Sequence, residues 1–511
     1  MVTKQDSNLT GLRYAQESAV IKVLPGSPVW YPLEPNSYSD FGGQIATVAR
    51  DPINSSRQRK KGTVTDLDAS GSFNQDLVTG DLTRLLQGFF CADAKGQVDT
   101  QSLAGATATV TAVTASSDTY TLSGALDYPV LEGALIYATG FAQSGNNGLK
   151  VNIAQGTTTL TVAASPGLTN ETPSSAARIL VVGQEFIEDD LSIEMNGDLV
   201  RIVSNDALMG NFLVEPGDWI YVGGDTSGTR FDSNQGFARV SAVTSAYMEL
   251  DKVSWPAQAE SSGGKTIRLF FGRRIRNNAN IAYRTYQLER TLGNDGVGTQ
   301  SEYLVGAVPN ELTLNVATAD KVTIDLAFIA LDNEQRSGTT GVKSGTRPTL
   351  VSGNALNTSS DFKRINIGAV STTDATVTPL LAYVSDLTLT ANNNAQALKA
   401  IGTLGGFDAS LGTFEVGGTL EAYFADVAAI AAIRNNADIT IDLAIVENNK
   451  GLVIDLPLIS LGDGRLNIEK DQAIKIPLEN SAFENPLGYT IQYQEWLYLP
   501  DAAESPFVDI S

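Results

Sequence analysis

Two stretches 347 residues apart carry the same alternation, and this repeat constrains the chain more than any single residue does. Between Gly62 and Leu77, the residues Leu67, Ala69, Phe73 and Leu77 share one face. Asp66, Asp68, Ser70, Ser72, Asn74 and Asp76 share the other, the period of a half-buried strand or hairpin with an acidic outer face. Gly71 is read as a bend or bulge within it. The stretch "DLTRLLQGFF" (81–90) follows, with Asp81 as N-cap, Leu82, Leu85 and Leu86 on one helical face, and Gly88 as the stop. In "LGTFEVGGTLEAYFADVAAIAAIRNN" (411–436), Phe414, Val416, Leu420 and Phe424 face one way and Glu415, Thr419 and Glu421 the other. Gly418 falls where Gly71 did and Glu415 where Asp68 did. Asp426 then caps an apolar helix that ends at Arg434-Asn435-Asn436.

A second pair lies in the same order. "NELTLNVATADKVTIDL" (310–326) aligns without a gap on "GDGRLNIEKDQAIKIPL" (462–478), so that Leu314, Asn315 and Val316 meet Leu466, Asn467 and Ile468. Val322, Ile324 and Leu326 meet Ile474, Ile476 and Leu478, and both stretches read as β-hairpins. The chain therefore reads as two copies of one β-rich domain with short helices. Between the two parts of the first copy lies an insertion with its own internal echo, 133–183 against 217–272. Each half reads as a small all-β module, and modules inserted at a loop are expected to decorate the surface. The predicted organisation is an N-terminal arm (1–39), a first domain (40–96 plus 276–335), inserted modules at 97–183 and 184–275, a linker or long loop (336–375) and a second domain (376–511). The arm, with Pro25, Pro28, Pro32 and Pro35 around Trp30 and Tyr31, reads as extended chain that docks on a neighbour.

Charge and residue usage remove most chemistries. Histidine is absent, which excludes Ser-His-Asp and Cys-His sites and most zinc sites. The single cysteine, Cys91, forms no intrachain disulfide and reads as a buried small apolar residue. "SSGGKT" (261–266) lacks the first glycine of a phosphate loop, and "GDGRLNIE" lacks the ligand ladder of a calcium loop. No cofactor is expected. The polar start and the lack of a long apolar run predict neither an export signal nor a membrane span. Net charge −22 repels free nucleic acid. Against that acidity stand two basic stretches: a hook of Arg57, Arg59, Lys60 and Lys61, and the 336–364 segment with Arg336, Lys343, Arg347, Lys363 and Arg364. Both fit contacts with other copies of an acidic protein. Clustered carboxylates such as Glu188, Asp189 and Asp190 leave a glycan hydrolase as a remote alternative.

Several long strings resemble the major tail (tail tube) proteins of long-tailed bacteriophages. They include "LPGSPVWYPLEPNSYSDFGGQIATVARDPINSSRQRKKGTVTDLDASGSFNQDL", "YLVGAVPNELTLNV" and "LTANNNAQALKAIGTLGGFDASLGTFEVGGTLEAYF". The resemblance covers about 1–95, 280–335 and 380–500, and leaves the insertion and the 336–364 loop unmatched. It implies a tail-tube-type antiparallel β-sandwich, duplicated here, and a non-enzymatic virion protein. In the family, six such domains form a ring, rings stack into a tube, and inner hairpins join into a barrel around the lumen. Two domains per chain then imply a homotrimeric ring with pseudo-sixfold symmetry, carrying about −66. The resemblance also implies assembly in the host cytoplasm, a place in the virion tail, and contact with tape measure, terminator and distal tail proteins. DNA would pass through without specific binding. Within that picture Asp68 and Glu415, then Asp66 and Glu421, are the lumen-facing candidates. Arg57, Arg59, Lys60, Lys61, Trp30 and Tyr31 are the candidates for contact between rings. The competing expectation is a fibre, baseplate or surface adhesin whose inserted modules bind glycans on Trp219, Tyr221 and Trp255.

Overall fold

The computed structural model describes residues 5–504, apart from 54, 56, 57, 81, 102–107, 165–166, 351–352, 377–378, 382, 425–426, 467 and 469. Half of the chain is strand and 7% is helix, and the sheets are antiparallel. Strands of the first copy are β1 (Thr10–Gln16), β2 (Pro35–Arg50), β3 (Lys60–Asp76), β4 (Tyr286–Asn294), β5 (Thr299–Ala317), β6 (Thr323–Ala330) and β7 (Asp332–Arg336). Those of the second are β8 (Phe362–Ala369), β9 (Val384–Asn392), β10 (Glu415–Tyr423), β11 (Ile439–Glu447), β12 (Lys450–Asp463), β13 (Lys475–Ala482) and β14 (Gln492–Trp496). Helix α1 (Thr83–Phe89) follows β3 and α2 (Ala428–Arg434) follows β10.

The two copies pair their strands in the same order. In the first, β1-β4-β5-β7 form one sheet and β2-β3-β6-β5 the other. In the second, β8-β11-β12-β14 and β9-β10-β13-β12 do the same. The long strands β5 and β12 belong to both sheets of their copy and change sheet at register shifts near Pro309 and Pro457, where a residue without an N–H costs the ladder nothing. Register confirms the duplication. Leu326 stands opposite Phe73, and Leu478, its match, stands opposite Leu420, the match of Phe73. One apolar core fills both sandwiches, and it includes Phe73, Leu85, Leu86, Phe89, Leu314, Leu326, Leu420, Ile441 and Leu478.

Four local expectations are corrected. Strand β3 runs unbroken through Gly71, and the bulge lies opposite it on β2, between Ser39 and Gly42. Gly71 is small because a Cβ there would stand 2.8 Å from Phe41 Cδ2 and 2.6 Å from Leu304 Cδ1. Gly88 lies inside α1, where it lets the helix approach Tyr286 and Pro309. Asp81 and Asp426 lie outside the described residues; Leu82 and Val427 occupy the N-cap positions and make no side-chain cap bond. The gap-free alignment of 310–326 on 462–478 holds for β6 and β13 but breaks in the preceding strand. β12 ends at Asp463, so Leu466 lies beyond it, although Leu466 still packs on the core. Asn467 lies outside the described residues.

The N-terminal segment is part of the first copy, not a free arm. β1 pairs with β4, and Trp30 is fully buried edge-on to Tyr303, with its Nε1 donating to the Ser344 carbonyl at 3.0 Å. The insertion forms a 13-stranded sheet with one apolar core around Tyr120, Ile136 and Ile179 and another around Ile202, Val240 and Leu269. It is not loose decoration. Trp219, Tyr221, Phe237 and Phe270 pack on Ala444, Val446, Val453 and Trp496 of the second copy. This explains why β11 loses alternation: one face meets the core and the other meets the insertion. Buried ion pairs join the same surfaces, Lys252 to Asp442 at 2.6 Å and Arg239 to Asp455 at 3.4 Å.

Candidate functional site

Strand pairing joins the sheet β2-β3-β6-β5 of the first copy to the sheet β9-β10-β13-β12 of the second through β5 and β9, giving one eight-stranded run β2-β3-β6-β5-β9-β10-β13-β12. Directly opposed residues share a face, so the composition of each face can be followed across the sheet. One face is core. The other carries Gln44, Asp68, Ser70, Ser72, Asn74 and Asp76, then Thr323 and Asp325, then Glu311, Thr313 and Asn315. It continues with Asp386, Thr388, Thr390 and Asn392, then Glu415, Thr419 and Glu421, then Glu479 and Ser481. Short polar and acidic side chains dominate it, and aromatic residues enter only at its margin, with Tyr423.

All four acidic candidates fall on this face, and two of them, Asp68 and Glu415, occupy matched positions of the two copies. Asp66 and Asp68 share Lys399, whose Nζ lies 2.6 Å from Asp66. The Lys399 ammonium holds the Asp66 carboxyl below its usual range, and both carboxylates hold the lysine above its own. Lys475 does the same for Glu421 at 2.6 Å. Glu415 is exposed, and no ion pair reaches it among the described residues. The sequence reading missed Glu311, Asp325, Asp386 and Glu479. Their signal lies in the same hairpin alternation that marks the core: they occupy the alternate positions. Asp325 accepts from Asn74 at 2.8 Å and Asn315 at 2.7 Å, and Thr313 bonds Thr390 across the junction between copies at 3.2 Å. These rows fix short side chains flat against the sheet.

The β2–β3 hairpin projects from the body. From residue 43 to residue 65 the described residues are exposed on both faces, save Gly62, which is half-buried. Its end carries Arg59, Lys60 and Lys61, which make no ion pair among the described residues, together with exposed Ile45, Val48, Ile53 and Val64. Arg57 lies outside the described residues. In the second copy the matching strands are shorter, and their connection folds back as a small hairpin, Gln396–Leu398 with Asp408–Ser410, from which Lys399 reaches β3.

Other candidates lose their surface. Trp30 is spent on packing within its own chain, and Tyr31 is half-buried between Tyr14 and Arg84. Four of the five basic residues of the 336–364 segment are paired internally: Arg336 and Lys343 with Glu334, Arg347 with buried Glu289, and Arg364 with buried Asp442, while Lys363 donates to the Ser360 carbonyl. Trp219, Tyr221 and Trp255, the aromatic platforms that glycan binding needs, are buried. Asp190 is buried against Ser204 and the Asp206 amide, and Asp189 accepts from the Gly264 amide at 2.9 Å, so these two carboxylates hold loops together. Cys91 is only half-buried, and burial pushes its thiol up to about 11. Among the described residues no cluster suits a metal ion, and no helix is long and apolar enough to cross a membrane.

A family model described as phage tail tube protein matches this sequence twice, over residues 7–274 and 204–482. No curated protein matches it. The doubled match and the duplicated antiparallel sandwich agree that this chain belongs to the phage tail tube protein family, a family of structural, non-enzymatic proteins of the virion tail.

Proposed function

We propose that the polar face of the eight-stranded sheet lines the lumen of a tube built from stacked rings of this chain, and that DNA leaves the capsid through it. The observation that carries this reading is the continuity of that face across both copies. A sheet with one face in the core and the other short, polar and acidic suits a wall along which a polyanion slides without sticking. Aromatic stacking platforms and arginines, the groups that grip nucleic acid, are missing from the middle of it. Asp66, Asp68, Glu415 and Glu421 face the lumen in this reading, joined by Glu311, Asp325, Asp386 and Glu479. Two copies per chain make three chains a pseudo-sixfold ring. The exposed β2–β3 hairpin, with Arg59, Lys60, Lys61 and its apolar residues, reaches the next ring, while the folded-back counterpart stays within its own. Each ring then offers three long hooks, and stacking inherits threefold symmetry. Tape measure, terminator and distal tail proteins meet the ends of the tube, and assembly precedes release from the host cytoplasm.

The test is charge reversal in virions. Asp386→Lys, Glu415→Lys and Glu479→Lys together should leave tails of normal length but slow or arrest DNA release, followed by dye uptake of ejected genome. Release at the normal rate from intact tails refutes a lumenal position for these residues.

A further inference from the structure

The insertion and the second copy meet at three side chains whose arrangement suits more than an ion pair. Asp442 lies on β11 directly opposite Asn366 of β8, and Lys252 reaches it from the insertion strand Tyr247–Val253. One oxygen, Asp442 Oδ1, accepts from Lys252 Nζ at 2.6 Å and from Asn366 Nδ2 at 3.1 Å. Arg364 holds the other oxygen. Lys252 Nζ also donates to Thr440 Oγ1 at 2.9 Å. Lys252, Asn366 and Asp442 are all buried, and Asn366 Oδ1 makes no hydrogen bond among the described residues. A buried amine, a carboxamide whose carbonyl is uncommitted and a carboxylate bonded to both nitrogens are the parts of an acyl transfer.

The first copy is built differently at the same place. Glu289 stands on β4 where Asp442 stands on β11, but Arg13 is opposite it instead of an amide, and it bonds Arg347 and Tyr303. The amide and the amine come together only where the insertion docks.

We propose that Lys252 and Asn366 join in a side-chain amide bond that rivets the insertion to the second copy, with Asp442 carrying the proton. The ion pair in this structure is the state before reaction. A neutral Lys252 amine gives its two hydrogens to Asp442 and Thr440, which leaves its lone pair free. That pair attacks Asn366 Cγ, a C–N bond forms, and the carbonyl electron pair moves onto Oδ1. Asp442 takes one proton from the attacking nitrogen and passes it to Nδ2 from the same oxygen. The pair on Oδ1 then returns, the Cγ–Nδ2 bond breaks and one ammonia leaves; nothing is oxidised or reduced. Burial pushes the Lys252 ammonium below its usual range, and Arg239, opposite it in the sheet, acts the same way against the pull of Asp442. The reacting amine is therefore within reach near neutral pH. Packing holds the two groups together for as long as the protein stays folded, which is the proximity that a slow acyl transfer needs. The same burial keeps out water, the competing nucleophile.

Mass spectrometry under denaturing conditions tests it. Wild-type protein incubated in the folded state should become lighter by one ammonia. Trypsin should then fail to cut after Lys252 and release a branched peptide joining Lys252 to Asn366. Protein held unfolded in urea should keep its full mass. Lys252→Met should abolish the loss. The exposed Asn196-Gly197 turn could also lose ammonia, by succinimide formation, and a loss that survives Lys252→Met overturns the proposal. Asn366→Asp should lose one water in place of ammonia, which identifies residue 366 as the acyl donor. Full mass in folded wild-type protein after long incubation, with normal cleavage after Lys252, refutes the bond. That measurement needs no variant to fold, and its outcome leaves the tube reading untouched.

Discussion

Asp442 is the group on which the attachment of the insertion turns. It is buried on β11 and accepts from Lys252 at 2.6 Å, Arg364 at 2.5 Å and Asn366 at 3.1 Å. Burial alone would raise its carboxyl, but Arg364 and Lys252 hold it well below the usual carboxylate range. Asp442→Asn keeps the shape and removes the charge, leaving Lys252 and Arg364 with no carboxylate between them. Lys252 is buried and the Arg364 side chain is 17% exposed, so the stranded charges are poorly solvated. Breaking a buried pair in this way costs about 3–5 kcal/mol. Exposure of Arg364 puts the expected loss at the lower end, about 3 kcal/mol. Three of the four tryptophans, Trp219, Trp255 and Trp496, sit in the insertion or its docking surface, so fluorescence during urea unfolding reports on this region. The expected result is an earlier fluorescence transition in Asp442→Asn, with much of the loss recovered by adding Lys252→Met. In a double-mutant cycle the coupling should exceed about 1 kcal/mol. The pH dependence follows from the same pair. A depressed folded-state carboxyl contributes stability above its unfolded value, about 3.9, and loses it as pH falls through the folded value, so wild-type protein should weaken below about pH 4. A loss under about 1 kcal/mol in Asp442→Asn, or additive single substitutions, would refute the clamp.

Other outcomes follow from the same structure. Leu326→Ala and Leu478→Ala remove matched core side chains, 0% and 1% exposed, and each should cost about 2–5 kcal/mol by chemical denaturation. A loss confined to one of them would contradict the structural equivalence of the copies. Gly418→Ala should yield insoluble protein, because a Cβ there meets the Thr388 carbonyl at 1.9 Å and φ is +153°. Soluble, correctly folded Gly418→Ala protein would show that the β9–β10 pairing is wrong. Lys399→Ala releases an exposed pair and should change stability by less than about 1 kcal/mol, while returning the Asp66 carboxyl to its ordinary titration range in carboxylate NMR.

Much of this architecture was legible in the sequence because it is local. Alternation in β3 and β10 shows the buried face directly, and the matched positions of Asp68 and Glu415, and of Leu326 and Leu478, carry the duplication. Three features were not legible, each for a non-local reason. Trp30 and the prolines near it suggested an extended arm that docks on a neighbour, yet β1 is held by β4 and Trp30 by Tyr303, partners 270 or more residues away in the same chain. The docking of the insertion leaves no pattern of its own. It erases alternation in β11, so a strand buried on both faces reads as a plain apolar run. Arg347 and Arg364 looked available because their partners, Glu289 and Asp442, lie on strands distant in sequence. Where Leu466 departs from its match Leu314, the sequence signal is intact, and what differs is the flanking strand.

In the function proposed above, the polar face of the sheet turns inward in a ring of three chains. Cryo-electron microscopy of tubes, reconstructed without imposed symmetry, tests it most directly. The expected reconstruction has three chains per ring, six sandwich domains around an open lumen, Asp325, Glu415 and Glu479 on its wall, and the insertion on the outside, packed against the second copy. Six chains per ring, or a lumen lined by the insertion with this face turned outward, would contradict it.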